Sequence, residues 1–316
     1  MSTETAPYTA APAASAKSAP KRASKLRAVT PDAAPKPEKL KALVYGLSGH
    51  GKSFLASAAP AVYYIDPEGG ARLPEYQARI RAGGGGYLGR DQGAGDSEVV
   101  LEQLRELASV EHNFTTVAVD SVTKLFLDLQ ADEAERLGDK DQFGASKKPA
   151  TRVMRRIAAW IQRLPLNVLL LAHGKPEYKD NQQIGLAPDC WEKLIYELDL
   201  VLRAEKRGNN YIAVVTKSRF QHLPAGTTLP LTFDDLANAL GREGVFAVGA
   251  RVKLATREQI AELHRLLAAT GTGEEESAKW LAKAKVADWA DMDEETAAKV
   301  LAYLGERETK GALKLN

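Results

Sequence analysis

From Gly46 to Phe54 the chain reads Gly-Leu-Ser-Gly-His-Gly-Lys-Ser-Phe, with four residues between Gly46 and Gly51 and a Lys-Ser pair directly after. This spacing fits the phosphate-binding pattern G-x-x-x-x-G-K-[ST]. Glycines let Gly46, Leu47, Ser48, Gly49, His50 and Gly51 wrap an anion with their backbone N–H groups facing it. The positive end of the following helix, at Lys52, Ser53 and Phe54, adds to the attraction. Lys52 then reaches the β- and γ-phosphates of ATP, and the Ser53 hydroxyl ligates Mg²⁺. A second oxygen donor for that metal site is Asp120, which ends the β-branched run Thr-Thr-Val-Ala-Val-Asp at residues 115–120. A second carboxylate, Glu68, lies just past the run 61–66 and is placed to orient and deprotonate water beside the γ-phosphate.

These groups need strands and helices in a fixed order. Residues 40–45 form a short apolar run suited to a buried parallel strand, and 52–59 form a helix stopped by Pro60. Residues 61–66, 115–120 and 167–172 are further buried strands, the last ending in His173. A helix is expected to about Leu137, then a polar loop containing Gly138, Gly144, Lys147 and Lys148, then a helix from about Ala150 to Leu164. The arginines of that second helix, Arg152, Arg155, Arg156 and Arg163, read as a solvated face. After His173 the stretch 174–191, with Gly174, Pro176, Gly185 and Pro188, reads as a long loop. Residues 197–206 and 210–219 are strands joined through Gly208-Asn209-Asn210, a hairpin signal.

Composition bounds the rest. The 316 residues are 44% hydrophobic with a net charge of +2, which gives enough core for a large and a small domain and no overall basic field. Residues 1–39 hold seven basic and three acidic side chains in an Ala/Pro/Ser/Thr-rich stretch, so residues 1–38 read as a disordered arm. No apolar segment suits a membrane span or signal peptide, and Cys190 is the only cysteine, which excludes an intrachain disulfide. From Thr256 helix formers dominate. Thr256 and Gln259 make a capping signal, and three short helices over 250–316 can bury Trp280, Trp289, Val300 and Leu304. This module is near neutral, which suits contact with protein better than with nucleic acid.

The cradle, the Asp-x-Glu turn at Asp66 and Glu68, and the Asp-Ser pair at 120–121 resemble the RecA-type recombinases. The short helix between Lys52 and the next strand makes the chain most similar to the compact RecA-core P-loop ATPases of bacteriophages, which include single-strand annealing proteins. The resemblance covers about residues 39–235. It implies an α/β fold, with a RecA-like core over 39–245 built on a mostly parallel central sheet flanked by helices, followed by the small helical domain. His173 takes the place of the family's γ-phosphate-sensing residue, usually glutamine. The stretch after it is implied to bind single-stranded DNA through Lys175, Tyr178 and Lys179. Lys217 and Arg219 are similar to the basic pair that reaches a neighbouring protomer's ATP in head-to-tail filaments or rings.

The function implied is ATP- and Mg²⁺-dependent, DNA-stimulated ATP hydrolysis in phage recombination or annealing, in the host cytoplasm. The helical domain would meet a replication or recombination partner. Two alternatives keep the cradle: a helicase-loading motor acting on a protein, and a nucleotide-switched interaction module.

Overall fold

Lys41–Gly46, the first strand β1, is buried at every position because it pairs on both sides and is covered on both faces. Even Lys41 is enclosed, its ammonium donating to the carbonyls of Leu164 and Leu166 at 2.8 and 2.7 Å. The computed structural model describes residues 39–141, 144–247, 249–284 and 286–312. The arm expected at 1–38 lies outside the described residues.

After β1 come α1 (Lys52–Ser57), β2 (Val62–Ile65), α2 (Pro74–Ala82), β3 (Gly86–Leu88), α3 (Ser97–Ser109), β4 (Thr116–Asp120), α4 (Val122–Leu137) and α5 (Lys147–Arg163). Then follow β5 (Asn167–Lys179), β6 (Gln182–Asp189), α6 (Leu194–Glu197), β7 (Leu200–Arg207), β8 (Asn210–Ser218), β9 (Thr228–Pro230), α7 (Phe233–Leu240) and α8 (Arg242–Phe246). The sheet order is β3-β2-β4-β5-β1-β7-β8-β9, with β6 paired to β5. The strands from β3 to β7 in this order run parallel, and β6, β8 and β9 are antiparallel. This is a RecA-like core with a mostly parallel sheet flanked by helices.

Alternation along β1 divides the interior. Leu43 and Tyr45 join α3, α4 and α5 on one face, whereas Ala42 and Val44 join α1, α2, α7 and α8 on the other. Parallel register carries Gly46 beside His173 and Asp120 beside Leu171, so the strand ends that bear chemistry emerge at one edge of the sheet.

Three sequence expectations change here. The stretch after His173 is not a loop: β5 continues to Lys179 and returns through β6, so residues 173–189 form a β-hairpin. Asp180 and Asn181 make its turn at φ 51° and 62°, a left-handed conformation that Asp and Asn tolerate. The helix placed from Ala150 begins three residues earlier, at Lys147, and ends at Arg163. Residues 77–114, which carry no assignment in the sequence reading beyond the turn at 67–76, hold most of α2, all of β3 and the α3 helix capped by Asp96.

Beyond the sheet, α9 (Arg257–Ala269), α10 (Glu274–Ala284) and α11 (Glu294–Ala312) enclose a third apolar cluster that includes Leu263, Leu266, Trp289, Met292 and Leu304. The Thr256–Gln259 capping box forms as read from the sequence. The cluster is tied to the core where Arg105 on α3 grips buried Asp291 and Arg163 donates to the Asp291 carbonyl. Among the described residues no helix is long and apolar enough to cross a membrane.

At the entry to β5, Asn167 is 1% exposed, and its amide joins three segments. It accepts from Leu40 N at 3.2 Å and donates to the Thr115 and Val245 carbonyls at 3.3 and 2.8 Å. Asn167→Ala leaves the buried Leu40 N–H unpaired, removes both amide donations, and is expected to lower unfolding free energy by about 2–3 kcal/mol. Urea denaturation at unchanged m-value checks this.

Candidate active site

The cradle is the turn between β1 and α1, held down from one side. Gly46 passes so close to β7 that an added Cβ would lie 2.6 Å from the Ala204 carbonyl oxygen. His50 Nδ1 donates to that same oxygen at 3.0 Å, so the carbonyl that crowds Gly46 also fastens the loop at His50. Gly51, at φ 84°, turns the chain into α1. Lys52 is 8% exposed, and its ammonium donates to the Gly46 and Leu47 carbonyls at 2.9 Å each. Burial holds its pKa below the ordinary lysine value, opposed by the charges of Asp120 and Glu68.

Opposite the cradle, Asp120 Oδ2 accepts from the Ser53 hydroxyl at 2.5 Å and from the Tyr64 phenol at 2.6 Å. Burial raises the pKa of this carboxyl, and the two hydrogen bonds pull it back down. Burial against the same carboxylate drives the Tyr64 phenol far above its usual value, so Tyr64 is a permanent donor here.

The turn after β2 is organised by Asp66, fully buried. Its carboxylate accepts from Gly69 N at 2.7 Å, Gly70 N at 3.2 Å, Ala71 N at 2.8 Å and the Tyr87 hydroxyl at 2.9 Å. That knot presents Glu68 to the cleft. Ser121 Oγ donates to Glu68 Oε2 at 2.9 Å, and His173 Nε2 lies 3.0 Å from the same oxygen. His173 is in turn fixed through its backbone N–H, which donates to Thr123 Oγ1 at 2.9 Å. Thr123 passes its own proton to the Asp189 carbonyl at 2.5 Å and so bridges both strands of the hairpin.

Lys52, Ser53, Glu68, Asp120 and His173 thus face one cleft of about 550 Å³, together with the cradle residues from Gly46 to Gly51 and Phe54. The donor set suits a magnesium nucleotide: a hydroxyl and a carboxylate supply hard oxygens beside a lysine and a helix N-terminus. On the far side of Phe54, a second cleft lined by Tyr211, Ile212, Pro230 and Leu231 offers apolar surface next to Gly51.

The remaining residues singled out in the sequence lie elsewhere. Lys175 pairs with Asp189 across the hairpin at 3.3 Å, and Tyr178 is 64% exposed near its tip. Lys179 ends β5, and its side chain lies outside the described residues. Lys217 donates to the Ile195 and Leu198 carbonyls at 2.5 and 2.6 Å, with its pKa lowered by burial. Arg219 pairs with Asp199 at 2.9 Å and donates to the Tyr196 carbonyl at 2.7 Å. Because β8 runs antiparallel, Lys217 lies beside Val201 at the start of β7, the end of the sheet opposite the cradle. Neither cation joins the cleft of its own chain.

Sequence reasoning missed Tyr64, Thr123 and the fastening role of His50, and Ser121 entered it only as part of the Asp-Ser pair. Asp66 entered it only as part of the Asp-x-Glu turn. A carboxylate followed by Gly69-Gly70 is the signal for a backbone-capping turn, whereas nothing in the sequence marks Tyr64 beyond its place in a buried strand.

A cradle with its lysine, a hydroxyl and strand-end carboxylate, and a second carboxylate beside them define a P-loop ATPase on a RecA-like core. The chain belongs to the AAA-domain family, whose model matches residues 38–227. Among solved structures it is similar to the RadB recombinase, with 21% identity over 61% of this chain and 86% of that one at a TM-score of 0.39. It is also similar to a KaiC-like protein from the hyperthermophilic archaeon Pyrococcus horikoshii OT3, with 13% identity over 62% and 86% at a TM-score of 0.41. No curated protein matches the chain.

Tyr64 generates a pH test. Its hydrogen bond favours the ionised form of Asp120, so Tyr64→Phe raises the carboxyl pKa further, and protonation begins at higher pH. The acidic limb of the ATPase pH profile is expected to move to higher pH while the alkaline limb stays in place. An unmoved acidic limb overturns this assignment.

Proposed function

We propose that the protein is an ATP- and Mg²⁺-dependent ATPase that binds single-stranded DNA, assembles head to tail, and acts in phage recombination or single-strand annealing. The observation that carries this reading is the Glu68–His173 contact. It links the carboxylate nearest the cradle to the residue at which β5 leaves the parallel sheet and enters the hairpin.

ATP would lie along the cradle with its phosphates on the backbone N–H groups of residues 47–53. Lys52 exchanges its two loop carbonyls for the β- and γ-phosphate oxygens. Ser53 and Asp120 would hold a magnesium ion, which would supply positive charge to offset that developing on the phosphates. Glu68, held by Ser121, accepts a proton from water as its oxygen bonds to the γ-phosphorus and the bond to the β-phosphate oxygen breaks. His173 senses the γ-phosphate through Glu68 and passes the change to the hairpin. There Lys175, Tyr178 and Lys179 offer cations and one exposed ring to a single strand. Lys217 and Arg219, remote from their own cradle, serve the next protomer's site, which makes turnover depend on assembly.

Two measurements test this. Glu68→Gln is expected to bind ATP with unchanged affinity and to lose turnover by about 10²-fold or more; equal turnover places the base elsewhere. Wild-type ATPase activity is expected to rise when an oligothymidylate is added, and the protein to bind that oligonucleotide in the presence of a non-hydrolysable ATP analogue. No stimulation together with no DNA binding overturns the DNA reading while leaving the ATPase intact.

A further inference from the structure

Helix α5 has two faces of opposite character. Met154, Ile157, Ala158 and Ile161 are buried in the core. Arg152, Arg155, Arg156, Ala159 and Arg163 follow one another at i, i+3, i+4, i+7 and i+11 and share the outer stripe. The turn before α11 passes over this stripe and closes a cleft of about 200 Å³. Its rim is guanidinium, and Ala159, Val286 and Ala287 give it an aliphatic wall.

The charge in the cleft is unbalanced. Arg152 and Arg155 are exposed, and neither forms a salt bridge among the described residues. Arg156 holds Glu98 at 3.0 Å through Nη1, yet its Nε is buried with no hydrogen-bond partner. The three nearby carboxylates are already engaged: Glu98 by Arg156, the buried Asp291 at the edge of the cleft by Arg105, and Asp293 by Thr296. Guanidinium forks are matched to planar carboxylates, and an apolar wall between them accepts an aliphatic side chain. Nucleic acid fits less well. The ring of Trp160 is 3% exposed beneath Arg163, whose guanidinium lies 4.3 Å from the ring centroid, so a single strand finds cations but no stacking surface.

We propose that the cleft between α5 and the turn before α11 is a docking site for an acidic segment of a partner protein. Asp or Glu carboxylates of that segment engage Arg152, Arg155 and Arg156, and an apolar residue enters against Ala159, Val286 and Ala287. The site does not depend on the DNA reading above, because none of its residues lines the ATP cleft.

The test uses the full chain and three fluorescein-labelled probes: an octapeptide of six glutamates and two leucines, its glutamine counterpart, and an oligothymidylate. Variants are Arg152→Glu combined with Arg155→Glu, and Ala159→Glu, which sets a carboxylate inside the cleft. Both change exposed positions, and wild-type basal ATP turnover serves as the folding control. Saturable binding of the acidic peptide, absence of binding by the glutamine peptide, and a loss of at least about tenfold in both variants support the proposal. No acidic-peptide binding by the wild type, or equal binding by the variants, overturns it. Loss of oligothymidylate binding in the variants without acidic-peptide binding by the wild type also overturns it and makes the stripe a nucleic-acid surface.

Discussion

One carboxylate oxygen, Oδ2 of Asp120, receives two hydroxyl protons at the buried end of a parallel strand, and the rest of the site is arranged around that arrangement. A carboxylate taken out of water is costly unless its lone pairs are filled. Ser53 and Tyr64 fill them from α1 and from β2, so the same contact that offsets desolvation also fixes the cradle helix against the sheet. Asp66 follows the same logic one turn away, where backbone donors rather than hydroxyls satisfy the buried charge. The two carboxylates hold the floor of the cleft, and Glu68 between them is left exposed enough to meet water.

Strand order turns this local chemistry into communication. Because β5 lies between β1 and β4, its end emerges between the cradle and Asp120. At that point His173 meets Glu68 from the turn after β2 and Thr123 from the start of α4, both on the β4 side of β5. The opposite edge of the sheet bears Lys217 and Arg219, both held by carbonyls of the α6 segment. The chain therefore presents a cradle at one end of its sheet and a pair of cations at the other.

The cradle is legible in the sequence because three independent signals coincide over residues 40–60: a buried apolar run, spaced glycines, and a short helix ended by proline. Asp120 is legible because the β-branched run that it ends follows a cradle; alone, an apolar run ending in a carboxylate is a weak signal. The hairpin is not, because Gly174, Pro176, Gly185 and Pro188 are breakers by composition. Only pairing shows that β6 has β5 as its one partner, where a missing N–H can be tolerated. The α3 helix was available in the pattern Val100, Leu101, Leu104, Leu107 and Ala108 with Asp96 as its cap, whereas α2 buries only Ile80 and β3 has three residues, too little for a periodic signal. Side-chain roles such as those of Tyr64, Thr123 and His50 depend on which strands become neighbours, and that is a property of topology.

The Thr123 hydroxyl has a mechanical consequence. It grips β5 at His173 and β6 at Asp189, so both strands of the hairpin blade are anchored to α4 where they leave the sheet. From His173 to Lys179 the blade is about 20 Å long at strand rise. On that lever, any rotation about the anchor carries Tyr178 and the turn through a larger arc than the residues at the anchor. The gain of the device is set by the length of the blade and not by the strength of any bond within it.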